Sequence, residues 1–211
     1  MSACELYCFG ESGNAYKVAL MLNLSGIDWD ARFVDFFNGE TRSDAYREEL
    51  NEMGEVPVLV HGPVKLTQSG VILEYLSELS GSFGAQDIDE HREIMRWILF
   101  DNHKLTNSIA TLRFLLRFAH SGETPVTEFL RGRAKAAMNI LDKHLAGRAF
   151  IVAERPTIAD VSACGYLYYT DELGFELEPY ENVVAWLDRI KQLEGWQHPY
   201  ELMPRAAPVA T

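Results

Sequence analysis

Cysteine and positive charge are both scarce in this 211-residue chain. The three cysteines, Cys4, Cys8 and Cys164, are too few and too scattered for a disulfide framework and point to a reducing compartment. Position 11 is Glu, so Cys8 opens no C-x-x-C pair, and a strand cysteine is expected to be an inert core residue. Lys and Arg number 19 against 31 Asp and Glu, a formal net charge of −12. Such a surface repels phosphate backbones and anionic membranes, which argues against a nucleic-acid partner. No apolar run approaches the ~20 residues of a membrane span. The opening "MSACELYCFG" lacks a basic segment leading into an apolar one, so no signal peptide is expected and the cytoplasm is the default location. His103 has no ligand partner four residues on, and no metal is expected. What remains is ordinary globular material, 47% hydrophobic and 24% charged, enough for one or two domains.

Residues 1–80 alternate strand and helix signals. "CELYCFG" (4–10) alternates, and "NAYKVALMLNLSG" (14–26) carries helical periodicity and a Ser-Gly stop. "DWDARFVDFF" (28–37) reads as a strand and "SDAYREELNEMG" (43–54) as a short polar helix. "VPVLV" (56–60) and "VKLTQ" (64–68) flank His61-Gly62-Pro63 and make a hairpin. "SGVILEYLSELSG" (69–81) closes the half as a helix. The order β-α-β-α-β-β-α predicts a mixed four-stranded sheet covered by helices. After a linker at 81–87, residues 88–203 predict an all-helical domain, with helices at 88–119, 125–146, 157–173 and 181–194. Residues 204–211 read as a tail. Thr157, after Pro156 and three residues before Asp160, marks a helix start close to a capping box, a structural role.

Several residues stand at strand–helix junctions, where chemistry is often placed. Pro57 sits at the mouth of a core-like strand and removes a ladder donor. On the residues alone it is either a trans proline on an edge strand or a cis proline that frees the Val56 main chain to pair with an extended ligand. Ser12 and Asn14 precede and open the first helix; they either cap it or act at a site there. Gln68 and Ser69 lead into the third helix, whose N-terminus favours a carboxylate.

In order and spacing, "LYCFGESGNAYKV", "NEMGEVPVLVHG", "LTQSGVILEYL", "FIVAERPTIADV" and "NVVAWLDRIKQLEGW" cover nearly the whole chain. Together they resemble the cytosolic glutathione transferases, and in particular serine-type, Nu-like bacterial members. The resemblance implies a thioredoxin-like first domain, a helical second domain, a cis Val56-Pro57 bond and a homodimer. It implies a glutathione thiolate attacking a hydrophobic electrophile, with glutathione as co-substrate and no metal. Ser12 would donate a hydrogen bond to the sulfur and Asn14 a second. Val56 would pair with the cysteinyl main chain, and Gln68 and Ser69 would hold the γ-glutamyl carboxylate. Arg42 and Asn38 are candidates for the glycine carboxylate. Asn102, His103, Tyr166 and Tyr169 are candidates for the electrophile pocket between the domains. The chain departs from the family in three places. Glu52 stands where relatives often have Pro, Glu55 where many have Lys, and Ala15 where some have a second hydroxyl or thiol. Glu55 removes a positive group from the glutathione site. Glutathione-dependent reduction of disulfides or peroxides, and a non-catalytic binding role, are the competing readings.

Overall fold

The computed structural model describes residues 3–205. They form two compact units, residues 3–81 with 194–205, and residues 82–193.

Unit 1 is built on a four-stranded sheet in the order β2-β1-β3-β4. Its elements are β1 (Cys4–Cys8), α1 (Gly13–Leu24), β2 (Trp29–Phe33), α2 (Asp44–Glu49), β3 (Val58–His61), β4 (Val64–Thr67) and α3 (Ser69–Ser80). This is the expected thioredoxin-like arrangement. β1 alternates buried and half-buried residues, as a strand packed more deeply on one face must. β1 pairs with β2 in parallel and with β3 antiparallel, and β3 pairs antiparallel with β4. Tyr7 faces Val58, Val58 faces Thr67 and Cys8 faces Phe33 in these registers. The C-terminal ends of β1, β2 and β4 and the N-terminal end of β3 therefore lie at one edge of the sheet. The chain leaves or enters at that edge through residues 9–12, 34–42, 54–57 and 68. The core beneath holds Leu6, Val18, Leu22, Leu59, Ile72 and Leu76, each fully buried.

Unit 2 is helical. Residues 88–118 run without a break through α4 (Ile88–Phe100), a wider π-type stretch (Asp101–Thr106), α5 (Asn107–Arg113) and a second wide stretch (Phe114–Phe118). α6 (Pro125–Leu145), α7 (Ile158–Cys164) and α8 (Glu181–Lys191) follow. α6 opens on a capping box in which Thr124 and Thr127 exchange hydrogen bonds, with Pro125 at its first position. Unit 2 is anchored on Asp160, which is 1% exposed. Its carboxylate accepts from the Ile151 and Thr157 main-chain N–H groups at 2.8 Å each, the Thr157 hydroxyl at 3.1 Å and the Trp186 indole at 2.9 Å. With Thr157 it forms a capping box at the start of α7.

Two boundaries differ from the sequence expectation. The helix expected over 157–173 ends at Cys164. Gly165 and the aromatic run Tyr166, Tyr168, Tyr169 are poor helix formers, and the chain turns through them into a short 3₁₀ stretch at Thr170–Glu172. Residues 194–203, assigned by pattern to the helical half, pack instead with unit 1. They include one helical turn, α9 (Pro199–Leu202). Residues 206–211 of the expected tail lie outside the described residues.

Candidate active site

The loop after β1 carries Ser12, which is 6% exposed. Ser12 is the N-cap of α1, with extended backbone (φ −88, ψ 107). Its Oγ accepts the Ala15 N–H at 3.1 Å. Among the described residues no acceptor receives the Ser12 hydroxyl proton. The hydroxyl thus caps the helix with one lone pair and keeps its donor. Asn14, in the first turn of α1, holds a buried Oδ1 with no hydrogen-bond partner among the described residues. The positive end of the α1 dipole converges on this loop.

Aromatic packing ties the loop to its neighbour. Phe9 stacks on Phe36 at 4.9 Å between centroids and meets Phe37 edge-on at 5.8 Å. Val34 N–H donates to the Cys8 carbonyl at 3.0 Å, which extends the β1–β2 register into the same loop. Behind it, burial pushes the Cys8 thiol up to about 12, so it is neutral at physiological pH. Tyr7, its neighbour, packs on the other side against the Val34, Tyr46 and Val58 cluster.

At the same edge the Val56-Pro57 bond is cis, and β3 begins only at Val58. No ladder partner or other hydrogen bond engages the Val56 main chain among the described residues. The preceding carbonyl, on Glu55, is held by two donors, the Tyr46 hydroxyl at 2.9 Å and the Asn51 amide at 2.9 Å. Asn51, 4% exposed, also accepts the Met53 N–H at 3.0 Å. Gly54 completes the turn at φ +68, and a Cβ there would sit 2.7 Å from the Thr41 carbonyl. Only glycine meets both demands. Tyr46 and the hydrogen bonds of Asn51 are supporting features that composition and spacing did not single out.

Gln68 precedes α3 with φ 66 and ψ 112, a conformation strained for a residue with a side chain. Backbone outliers of this kind cluster at functional sites. Its amide donates to Glu55 Oε2 at 3.0 Å and contacts Met53 Sδ at 3.2 Å. Ser69 opens α3, is 6% exposed, and makes no side-chain hydrogen bond among the described residues. Arg42 is exposed beside Gly39 in the loop after β2, and Asn38 is tied to Asp35 at 2.8 Å. The sheet registers thus bring Ser12, Asn14, Val56, Glu55, Gln68, Ser69 and Arg42 to one edge of unit 1.

The other candidates lie in unit 2. Asn102 and His103 are exposed on the wide turn after α4. Their neighbour Asp101 is fully buried and accepts the Thr106 hydroxyl at 2.7 Å and the Ser162 hydroxyl at 2.6 Å. Tyr166 and Tyr169 are 9% and 2% exposed, with ring centroids 6.1 Å apart. The Arg113 guanidinium covers the Tyr169 ring at 3.9 Å and donates to Glu172 at 2.8 Å. Among the described residues no cluster of His, Cys, Asp or Glu suits a metal, and no helix is long and apolar enough to cross a membrane.

Comparison with known proteins agrees with this architecture. Residues 2–78 match the family described as "Glutathione S-transferase, N-terminal domain", and residues 114–189 match "Glutathione S-transferase, C-terminal domain". A glutathione S-transferase structure from Xanthobacter autotrophicus is 30% identical, with a TM-score of 0.85 over 95% of this chain and 98% of that one. Glutathione S-transferase F14 of Arabidopsis thaliana is 29% identical over 92% of this chain and 82% of its own length. The disulfide-bond oxidoreductase YghU of Escherichia coli is 28% identical over 75% of this chain and 58% of its own. Matches to both domain families, one in each unit, and a solved glutathione S-transferase 30% identical over nearly the whole of both chains show that the chain belongs to the glutathione S-transferase family.

Proposed function

We propose that the protein binds glutathione at the sheet edge of unit 1 and activates its thiol for attack on a hydrophobic electrophile. The observation that carries this is the Ser12 hydroxyl: almost buried, its acceptor side used by α1, its proton unspent. In the proposed complex the Ser12 O–H donates a hydrogen bond to the glutathione thiolate and keeps its proton, with Asn14 as a second polar contact and the α1 dipole favouring the anion. Val56 exchanges main-chain hydrogen bonds with the cysteinyl residue, the mode in which an extended peptide adds to a sheet edge. Ser69, at the N-terminus of α3, takes the γ-glutamyl carboxylate together with Gln68, beside Glu55. Arg42 takes the glycine carboxylate. Asn102, His103, Tyr166 and Tyr169 contribute to the electrophile pocket. In the reaction the sulfur forms a bond to the electrophilic carbon, and the leaving group or the adjacent π system takes the electron pair. The protein is proposed to act as a homodimer, which sedimentation would check.

Ionisation alone supplies little of the rate. A thiol of pKa about 8.5 is roughly 3% ionised at pH 7, and lowering it about two units gives roughly 25-fold more thiolate. Nucleophilicity falls with pKa along a slope near 0.45, about 8-fold over the same range, so the net gain is about threefold. Holding the thiolate against the electrophile must contribute more.

A second reading is disulfide reduction, in which glutathione sulfur is again the nucleophile, because all three protein cysteines are buried. One glutathione thiolate attacks the disulfide and displaces a thiolate; a second glutathione releases oxidised glutathione. The name of the Escherichia coli relative points the same way.

Calorimetry with glutathione, followed by assays with a chloronitrobenzene, a hydroxyethyl disulfide and cumene hydroperoxide, tests these readings. Turnover of the chloronitrobenzene supports conjugation. Turnover confined to the disulfide or the peroxide moves the assignment to reduction. Binding without turnover leaves a binding protein, and no binding overturns the reading of the site.

A further inference from the structure

The end of the described chain returns to the loop that carries Ser12. Gly195 accepts from the Asn23 amide at 3.2 Å, near the C-terminal end of α1. Gln197 accepts from the Tyr16 hydroxyl at 2.8 Å, a little beyond the first turn. Pro204 accepts the Gly10 N–H at 2.7 Å, in the loop itself. Arg205 Nε then donates to Glu11 Oε1 at 3.2 Å, while its guanidinium lies 3.8 Å from the centre of the Tyr200 ring. Residues 195–205 thus run antiparallel to α1 and finish one residue from Ser12.

We propose that Pro204 and Arg205 form a clasp that fixes the Ser12 loop, with Arg205 a positioning residue for the thiolate. The proposal rests on the reading of Ser12 given above. Two observations carry it beyond simple packing. The first is steric. A Cβ on Gly10 would meet Arg205 Cγ at 2.7 Å and the Met203 and Pro204 carbonyls at 3.4 Å, so the loop and the clasp approach as closely as a glycine allows. The second is electrostatic. Glu11, 8% exposed, places a carboxylate one residue before the hydroxyl that would receive an anion. A like charge at such a site disfavours the thiolate. Arg205 offsets it, with a side chain that is itself 48% exposed. The other charged or titratable groups on the packed elements are Tyr16 and Lys17 on α1, both fully buried, His198 at the N-cap of α9, and Tyr200 and Glu201 on α9. The clasp therefore does two things at once: the Pro204 carbonyl holds the loop backbone at Gly10, and Arg205 offsets the Glu11 carboxylate beside Ser12.

The test is the pH titration of bound glutathione by its thiolate ultraviolet absorbance, in the wild type, Ser12→Ala, Arg205→Ala, Arg205→Lys and Gly10→Ala. The expected result for Arg205→Ala is a thiol pKa higher by about 0.5–1 unit, with the KM for glutathione changed less than kcat. Arg205→Lys recovers part of the shift, because the charge returns without the planar fork. Gly10→Ala shifts the curve in the same direction. Its effect is smaller in the Arg205→Ala background, where the side chain it collides with has gone. A titration unchanged in both Arg205→Ala and Gly10→Ala, while Ser12→Ala shifts, overturns the clasp and leaves those contacts as structural fastening. An unchanged curve in Ser12→Ala means that the Ser12 reading has failed, and the clasp proposal falls with it.

Discussion

Replacing Asp160 with Ala should be among the most damaging single changes in unit 2. The carboxylate is 1% exposed and accepts four hydrogen bonds. Its loss strands three buried donors, the Ile151 and Thr157 N–H groups and the Trp186 indole. The Thr157 hydroxyl can turn to another acceptor. Each stranded donor costs about 1–3 kcal/mol. Removing a buried carboxylate also relieves desolvation, which pushes the Asp160 carboxyl above the ordinary range. The net expectation is a loss of about 3–5 kcal/mol. For a chain of this size that lowers the midpoint by about 6–20 °C. Thermal and urea unfolding followed by circular dichroism would measure it. Asp160→Asn keeps one acceptor but turns an amide donor toward the remaining donors, so it should recover little. A loss below about 1 kcal/mol would refute the claim that this carboxylate joins the 151 loop, the start of α7 and α8.

Further predictions follow from the same contacts. Asn51→Ala removes one of the two donors on the Glu55 carbonyl and should weaken glutathione binding by about 1 kcal/mol, roughly fivefold. Calorimetry would read it, and an unchanged Kd would mean that this support does not position Val56. Cys8, its thiol pushed up to about 12, should resist iodoacetamide at pH 8 until the protein is unfolded. Mass spectrometry showing native alkylation at Cys8 would contradict its burial. His144, packed on Trp97 at 4.3 Å and bonded to the Ile151 carbonyl at 2.6 Å, is held by burial below its ordinary value. The unfolded chain then takes the proton first. Its contribution is intact above about pH 6.5 and is lost as pH falls from there through the lower value of the folded state. His144→Gln should flatten that part of the stability curve, and an unchanged curve would refute the assignment.

The fold was legible where one physical signal dominated. The β-branched run at 56–60 and the Gly62-Pro63 turn gave a hairpin, seen as β3 and β4. Apolar periodicity gave the long helix from residue 88, although not its two wide stretches. The alternation of strands and helices gave a sheet whose registers gather the junction loops at one edge, because parallel and antiparallel pairing fix which strand ends coincide. Three features were not legible. Asp101 and Arg113, inside helical segments, are buried because the Ser162 hydroxyl and the Glu172 carboxylate, 61 and 59 positions away, satisfy them. The early end of α7 follows from the poor helix formers Gly165, Tyr166, Tyr168 and Tyr169, whose apolar pattern alone still read as helix; Tyr166 and Tyr169 instead lie against each other, and Arg113 covers the latter. The return of Arg205 to Glu11 spans 194 positions, and no local pattern encodes it.

The most direct test of the account is a crystal structure of the protein with glutathione. The account predicts sulfur within hydrogen-bond reach of Ser12 Oγ, with the cysteinyl main chain paired to Val56. Sulfur held by a different side chain, or a tripeptide bound away from this sheet edge, would contradict it.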